Sequence, residues 1–412
     1  MNNQKGFIAS FIAILILAFM LALAMSISSV ILTRHEISEN AVKAAQSYYA
    51  AEAGIEDSLL RLKETPQMPA LNYTIDIDGF TAVVQIPSLI AGSRAIVSQG
   101  DFFNRIKKVQ AVYALDAEGV SFYYGAQIGA GGLQMANSSR VNGNIFSSGN
   151  VTGSGSATID NDVIIAGNGN NISGMYVKGN VLAYSCSNST IDGNLTYVLG
   201  GTNNCTVGGT TSVQSGEIAS QPLPISQIQI DSWKSDAGAG GTIGSVNLSG
   251  TQTMSLGPKK IAGDLSISNS AVLTLTGTVY VTGNITISNS ARIKLDSSYG
   301  ALGGVILSDG TITPSNYSAF EGSGQASSYL LVLSTNISNS AITVSNSATG
   351  AIFYASAGGI IVSNNFSARE VTGYKLTMSN NATINYESGL ADVFFSSGPT
   401  GGWSVSSWKE IE

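Results

Sequence analysis

Histidine is almost missing from this chain: His35 is the single one in 412 residues. That removes histidine-based triads and His-rich metal sites from nearly the whole length. Two cysteines are too few for a disulfide framework or a four-thiolate zinc site. Charge is scarce as well. Only 11% of residues are charged, against about 25% in an ordinary soluble domain. Lys and Arg number 19 and Asp and Glu 26, a net charge of -7. No clustered basic surface is available, which excludes nucleic acid as a partner bound through phosphate neutralisation. What remains is 43% hydrophobic, too apolar and too rich in β-formers for a disordered tract. The length suggests two or three domains.

No charged residue stands between Lys5 and Arg34. The run is dominated by Ile, Leu, Ala, Phe and Met, and about 20 such residues span a bilayer as a helix. It is too long for the apolar region of a secretory signal. Beyond Arg34, residues Ile37, Ala41, Ala44, Tyr48, Ala51, Ile55, Leu59 and Leu62 recur at steps of three and four. That is one apolar stripe on a continuing amphipathic helix. No proline occurs before Pro66, so residues 7–64 are expected to form one helix, roughly 85 Å long at 1.5 Å per residue. Its stripe needs a partner, either the chain's own sheet or a neighbour's helix.

Lys5-Gly6-Phe7 ahead of an apolar helix resembles the leader junction of type IV pilin-like proteins. Ser47-Tyr48-Tyr49-Ala50-Ala51-Glu52-Ala53-Gly54-Ile55-Glu56 is similar to the A-A-E-A-G segment of the PilX N-terminal family of minor pilin-like proteins. The resemblance covers about the first 64 residues. It implies that a prepilin peptidase cuts after Gly6 and that the mature chain starts at an N-methylated Phe7. It also implies a membrane-inserted subunit with other pilin-like subunits as partners. One position departs from the major pilins, which carry Glu at the fifth mature residue; here that residue is Phe11. In that family the Glu is thought to neutralise a neighbour's terminal amine, and an unpaired buried ammonium is costly. A subunit without it suits a place needing one neighbour, such as a filament tip.

Thr65-Pro66 is expected to end the helix. Residues 73–76, 80–86, 95–98 and 109–114 read as short strands, with Asp78-Gly79 as a hairpin turn. Residues 65–118 are thus expected to form a small antiparallel sheet packed on the outer half of the helix. Arg105, Lys107 and Lys108 read as a solvated strand edge.

From about Gly119 a repeat takes over. Ile261-Ala262-Gly263-Asp264-Leu265-Ser266-Ile267-Ser268-Asn269-Ser270-Ala271 returns twenty residues later as Val281-Thr282-Gly283-Asn284-Ile285-Thr286-Ile287-Ser288-Asn289-Ser290-Ala291. Leu265/Ile285, Ile267/Ile287 and Leu273/Ile293 share one parity; Ser266/Thr286, Val272/Arg292 and Thr274/Lys294 share the other. Period two means strands with one buried face. Gly143-Asn144, Gly179-Asn180, Gly193-Asn194, Asn346, Asn364 and Asn380 are weaker echoes. Short strands turning at Asn/Gly corners every twenty residues or so describe the rung of a parallel β-helix. Stacked corners would line the Asn residues into an amide ladder. A β-sandwich is the competing architecture, but hairpin dipeptides are few. The fold class expected is therefore an α+β N-terminal part followed by an all-β solenoid over 119–412, of roughly a dozen rungs. Residues 216–240 read as an excursion from it, and Trp403 and Trp408 as part of a cap over the last rung.

Cys186 and Cys205 lie about one rung apart; they are either disulfide-bonded or two small apolar residues in adjacent core slots. Arg292-Ile293-Lys294 is similar to a short motif of the polygalacturonases, which also need clustered Asp residues and a Gly-His-Gly. No His follows His35, and Asp160, Asp162, Asp192, Asp264, Asp296 and Asp309 are scattered. Asp160 and Asp162 alone are a weak cation site. No enzyme, metal or cofactor is expected. The expectation is a minor pilin-like subunit, anchored by one pass in the cytoplasmic membrane before assembly. Its bulk would lie outside, for adhesion or filament initiation, with surface glycans or a host surface as further partners. The alternative is a membrane-anchored protein that binds or cleaves polysaccharide.

Overall fold

A computed structural model describes residues 4–64, 68–77, 79–87, 93–115, 117–350, 352–396 and 403–411. The helix stop at Thr65-Pro66 and the turn residue Asp78 lie outside these. The described residues fall into two compact units.

The first unit is built on one helix of 61 residues, Gln4–Glu64. It is all α because nothing interrupts it: no proline, and after Gly6 in its first turn only one further glycine, Gly54. Its side chains from Ser10 to Glu39 are exposed. Over Ser10–Lys63 an 18-residue window reaches a mean hydropathy of 2.7 with 0% buried, so the helix is long and apolar enough to cross a membrane. Five strands form the sheet of this unit, in the order 71–77, 80–86, 93–102, 105–115 and 403–411. The first pair runs in antiparallel register with Ile77 opposite Phe80. A hairpin unread in the sequence follows at Phe103 and Asn104, whose φ values of 48° and 58° are those of a tight primed turn.

The C-terminal strand corrects two expectations. Residues 403–411 do not cap the solenoid; they add a fifth strand beside 105–115. That neighbour therefore is not an edge, and Arg105, Lys107 and Lys108 do not line one. Lys107 pairs with Glu410 at 2.5 Å, and Arg105 Nη2 donates to Asn40 Oδ1 at 2.8 Å.

That unit is a three-sided parallel β-helix, and every ladder of its 27-stranded sheet is parallel. One column of inward side chains runs Val246, Leu265, Ile285, Ile312, Ile342, Ile360, Leu376, Leu133, Val151, Ile172, Cys186 and Asn203. Twelve rungs stand along it among the described residues, roughly 55 Å of rod at about 4.8 Å each. Leu265, Ile285, Ile267, Ile287, Leu273 and Ile293 are all fully buried, as the period of two requires.

The order of that column is not the order of the chain. The chain enters mid-rod at 126–142 and winds outward to the strand 211–214. It then restarts at the opposite end with 242–256 and winds back to 370–385. This last rung docks on the first, with Thr372 opposite Gln127, Leu376 opposite Leu133 and Ile384 opposite Val141. The last rung thus has a neighbour on both sides and exposes no end to be covered.

Residues 215–241 make the return. They leave the stacked rungs and form a strap along the rod. Gly167 N donates to Ile218 O at 2.9 Å, Gln127 Nε2 to Pro222 O at 2.7 Å, and Tyr354 OH to Ile225 O at 3.0 Å. A helix, Gln227–Ala239, follows, capped by Ser226. It buries Ile230 and Trp233 against Val305, Leu307, Leu331 and Phe395.

Candidate functional site

The A-A-E-A-G segment is a docking face. Ser47, Ala50, Ala51, Gly54, Ile55, Ser58 and Leu62 are buried, at steps of three and four along one side of the helix. They pack on the sheet chiefly through strand 80–86, whose Ala82 and Val84 are buried, as are Ile96, Val109 and Ala111 of the neighbouring strands. The buried face is rotated from the stripe read in the sequence: Ile37 is 62% exposed, and Tyr48 and Leu59 are half-buried. Small residues decide how closely helix and sheet approach. A Cβ on Gly54 would sit 2.2 Å from Ser98 Oγ, and one on Gly100 1.9 Å from Ser47 O. Glu52 accepts a hydrogen bond from Tyr48, one turn earlier, which raises the Tyr48 phenol above its ordinary value. The acidic residue of the motif is therefore held within its own helix.

Gly6 and Phe7 lie in helical backbone at the start of this element. Phe11, the position of the pilin Glu, is 61% exposed, as are the other large apolar residues of this stretch.

On the solenoid, Cys186 and Cys205 are disulfide-bonded, with Cα atoms 5.8 Å apart. The bond ties strand 203–207, near one end of the rod, to strand 185–191 beneath it. Asp160 and Asp162 are committed separately. Burial would raise Asp160, but hydrogen bonds from Arg140 and Lys178 outweigh it and hold the carboxyl below its ordinary value. Asp162 Oδ1 accepts from the Asn180 backbone N–H at 2.7 Å. No group of three metal-ligating side chains occurs among the described residues. In Arg292-Ile293-Lys294 the isoleucine is buried in the core and Arg292 pairs with Glu321 at 3.5 Å.

Two features escaped the sequence reading. Glu370 is wholly buried beneath the strap side of the rod. Burial pushes its carboxyl well above the ordinary value, opposed by a 2.5 Å hydrogen bond from Thr372 Oγ1. Its Oε2 has no partner, which favours the protonated form.

The second is a cleft of about 650 Å³ on the third side of the rod, lined by Glu321, Gln325, Thr349, Arg369, Asn385 and Glu387 among others. Here that side narrows to a single bridging residue, Thr349, between Ala319 and Ser367. Arg369 Nε and Glu387 Oε1 pair at 2.6 Å. Tyr329 OH donates to Glu387 Oε2 at 3.0 Å; burial first and this carboxylate second raise its phenol. One cue was present in the sequence. Successive corner asparagines are 20 residues apart at Asn269 and Asn289, but 27 and 30 apart over Asn316 and Asn346.

Taken together, the described residues define a parallel β-helix protein that carries one apolar N-terminal helix of membrane-spanning length. Comparison with protein families gives no match, and comparison with curated proteins gives none. Among solved structures, the chain is similar to the competence-associated pilin ComZ from Thermus thermophilus. Identity is 13% over 90% of this chain and 97% of that one, with a TM-score of 0.27. A likeness of that size carries no argument, so the fold rests on the strand registers above.

Proposed function

We propose that the protein is a minor pilin-like structural subunit, inserted in the cytoplasmic membrane, cut after Gly6 by a prepilin peptidase and methylated at Phe7. The observation that carries this reading is a division within one unbroken helix. Its first half follows Lys5-Gly6-Phe7 and leaves every described apolar side chain exposed. Its second half is tied to the chain's own sheet through Ser47, Ala51 and Gly54. A free apolar half-helix needs lipid before assembly and apolar neighbours after it. Phe11 offers no carboxylate to an adjacent subunit's amine, which suits a tip or initiating position in a type IV pilus or related filament. The β-helix acts by being presented outside the cell, for adhesion or filament initiation, and turns over no substrate.

Intact mass and N-terminal sequencing of the protein from membranes test this. A chain beginning at methylated Phe7 is expected; a chain beginning at Met1 would remove the pilin-like assignment. A second reading, a membrane-anchored extracellular polysaccharide-binding or polysaccharide-cleaving protein, is favoured by the polar cleft around Arg369 and Glu387.

A further inference from the structure

We infer that the cleft on the third side of the β-helix binds a neutral, polyhydroxylated ligand, a saccharide. This rests on the cleft alone and stands whether or not Gly6 is a cleavage site.

The cleft is built by insertion. Most corner asparagines recur at 16–20 residues; the two long steps, of 27 and 30, are neighbours. The extra residues of the first step, and most of those of the second, lie in 296–303 and 322–329, which leave the same corner on adjacent rungs; the remainder lie in 335–341. In solenoids, insertions gathered on one face commonly form the binding face. These two are fastened to each other. Ser323 Oγ donates to Gly300 O at 2.5 Å and Ser328 Oγ to Leu302 O at 2.7 Å. Gly304 N donates to Tyr329 O at 3.1 Å. The wall is therefore a braced structure beside the point where the third side shrinks to Thr349. Its volume, about 650 Å³, falls within the roughly 300–1,000 Å³ of small-ligand clefts.

The lining selects the chemistry. Phe320 and Tyr329 are only 4% and 8% exposed, so no ring is offered to an apolar guest. Glu321 and Glu387 oppose an anion, and Arg369 opposes a cation. The acidic groups are already neutralised in pairs, Glu321 with Arg292 and Glu387 with Arg369. The lining combines one guanidinium donor, Arg369, the carboxylate acceptors of Glu321 and Glu387, and the amides of Gln325 and Asn385. Hydroxyl groups, each both donor and acceptor, match such a mixed set without adding charge.

The test uses the full chain in nanodiscs and a panel of neutral tetrasaccharides built from glucose, galactose, mannose and N-acetylhexosamines, beside sulfated and sialylated counterparts. Saturation-transfer NMR and calorimetry report binding. Saturable binding of at least one neutral probe is expected, weakened at least tenfold by Arg369→Ala or Asn385→Ala. Tyr176→Phe, on the same side but three rungs beyond strand 383–385, should leave it unchanged. Circular dichroism melts of each variant separate lost binding from lost folding. Binding by charged probes only, no saturable binding, or equal binding by the folded Arg369→Ala variant would each overturn the assignment.

Discussion

The side-chain amide of Asn137 donates to the side-chain carbonyl of Asn380 at 2.9 Å, across 243 positions of sequence. It is the joint of an amide ladder that runs Asn269, Asn289, Asn316, Asn346, Asn364, Asn380 and Asn137. Each of these residues sits at a φ between 49° and 55°, a left-handed conformation that asparagine tolerates better than most. The ladder passes from the last rung of the chain to the first without a break. Two parts of the sequence that never meet in order share one corner.

Substitution at that joint separates backbone from side chain. Asn380→Gly keeps the left-handed corner and removes only the ladder contacts; Asn380→Ala removes both. The expected loss is about 1 kcal/mol for Gly and about 1–2 kcal/mol more for Ala, in urea unfolding followed by far-ultraviolet circular dichroism. Equal losses would mean that the amide contacts contribute nothing.

Cys186→Ser with Cys205→Ser should loosen one end of the rod. The bridge closes a separation of 19 residues, for which the chain-entropy account gives about 3 kcal/mol. Because a rung contacts only its neighbours, faster hydrogen exchange is expected over 181–214, with little change over 259–295. A uniform acceleration along the rod would contradict this local role.

Glu370 sets a pH dependence whose sign follows from linkage. Its carboxyl is raised in the fold, so the native state holds a proton that the unfolded chain releases. Stability from this group is full below the unfolded carboxyl range and falls as pH climbs toward the folded value. Glu370→Gln removes the ionisable proton and keeps the shape. It is expected to raise the melting temperature at pH 8 by a few degrees, for a gain on the order of 1 kcal/mol, and to change little at pH 4. A larger gain at pH 4 than at pH 8 would show the sign to be wrong.

Gly100→Ala should injure the first unit more than Gly54→Ala. The first places a methyl 1.9 Å from a helix backbone oxygen, the second 2.2 Å from a serine hydroxyl. A hydroxyl can rotate and a helix carbonyl cannot. Gly100→Ala is expected to cost about 3 kcal/mol or more. Gly54→Ala should cost less, since alanine regains about 1 kcal/mol of helix propensity. Protease sensitivity of the helix-sheet unit, measured for both variants, orders the two.

Much of the architecture was legible because it is local. Leu265 and Ile285 fall in one inward column because alternation alone assigns a face. The echoes were harder to sort. Asn269 and Asn289 stack at one corner, while Asp264 Oδ1 receives the Asn284 N–H at a second. At a third corner Asn180 Oδ1 receives the Asn194 N–H. All three read alike as Asn/Gly turns. Glu321, Arg369 and Glu387 carried no pattern at all, since they come from different rungs and meet only across the narrowed side.

By itself the sequence determined a long apolar helix, strands with one buried face and corners that only Asn, Ser or Gly fill comfortably. These depend on a residue and its near neighbours. Tertiary structure decided which rung lies on which, that the chain starts mid-rod and returns along a strap, that its last strand joins the first unit, and that two cysteines close a bond. The physical reason is that parallel ladder hydrogen bonds are nearly the same at every rung. They hold any two edges together without naming them, so the partners were chosen by the path of the whole chain.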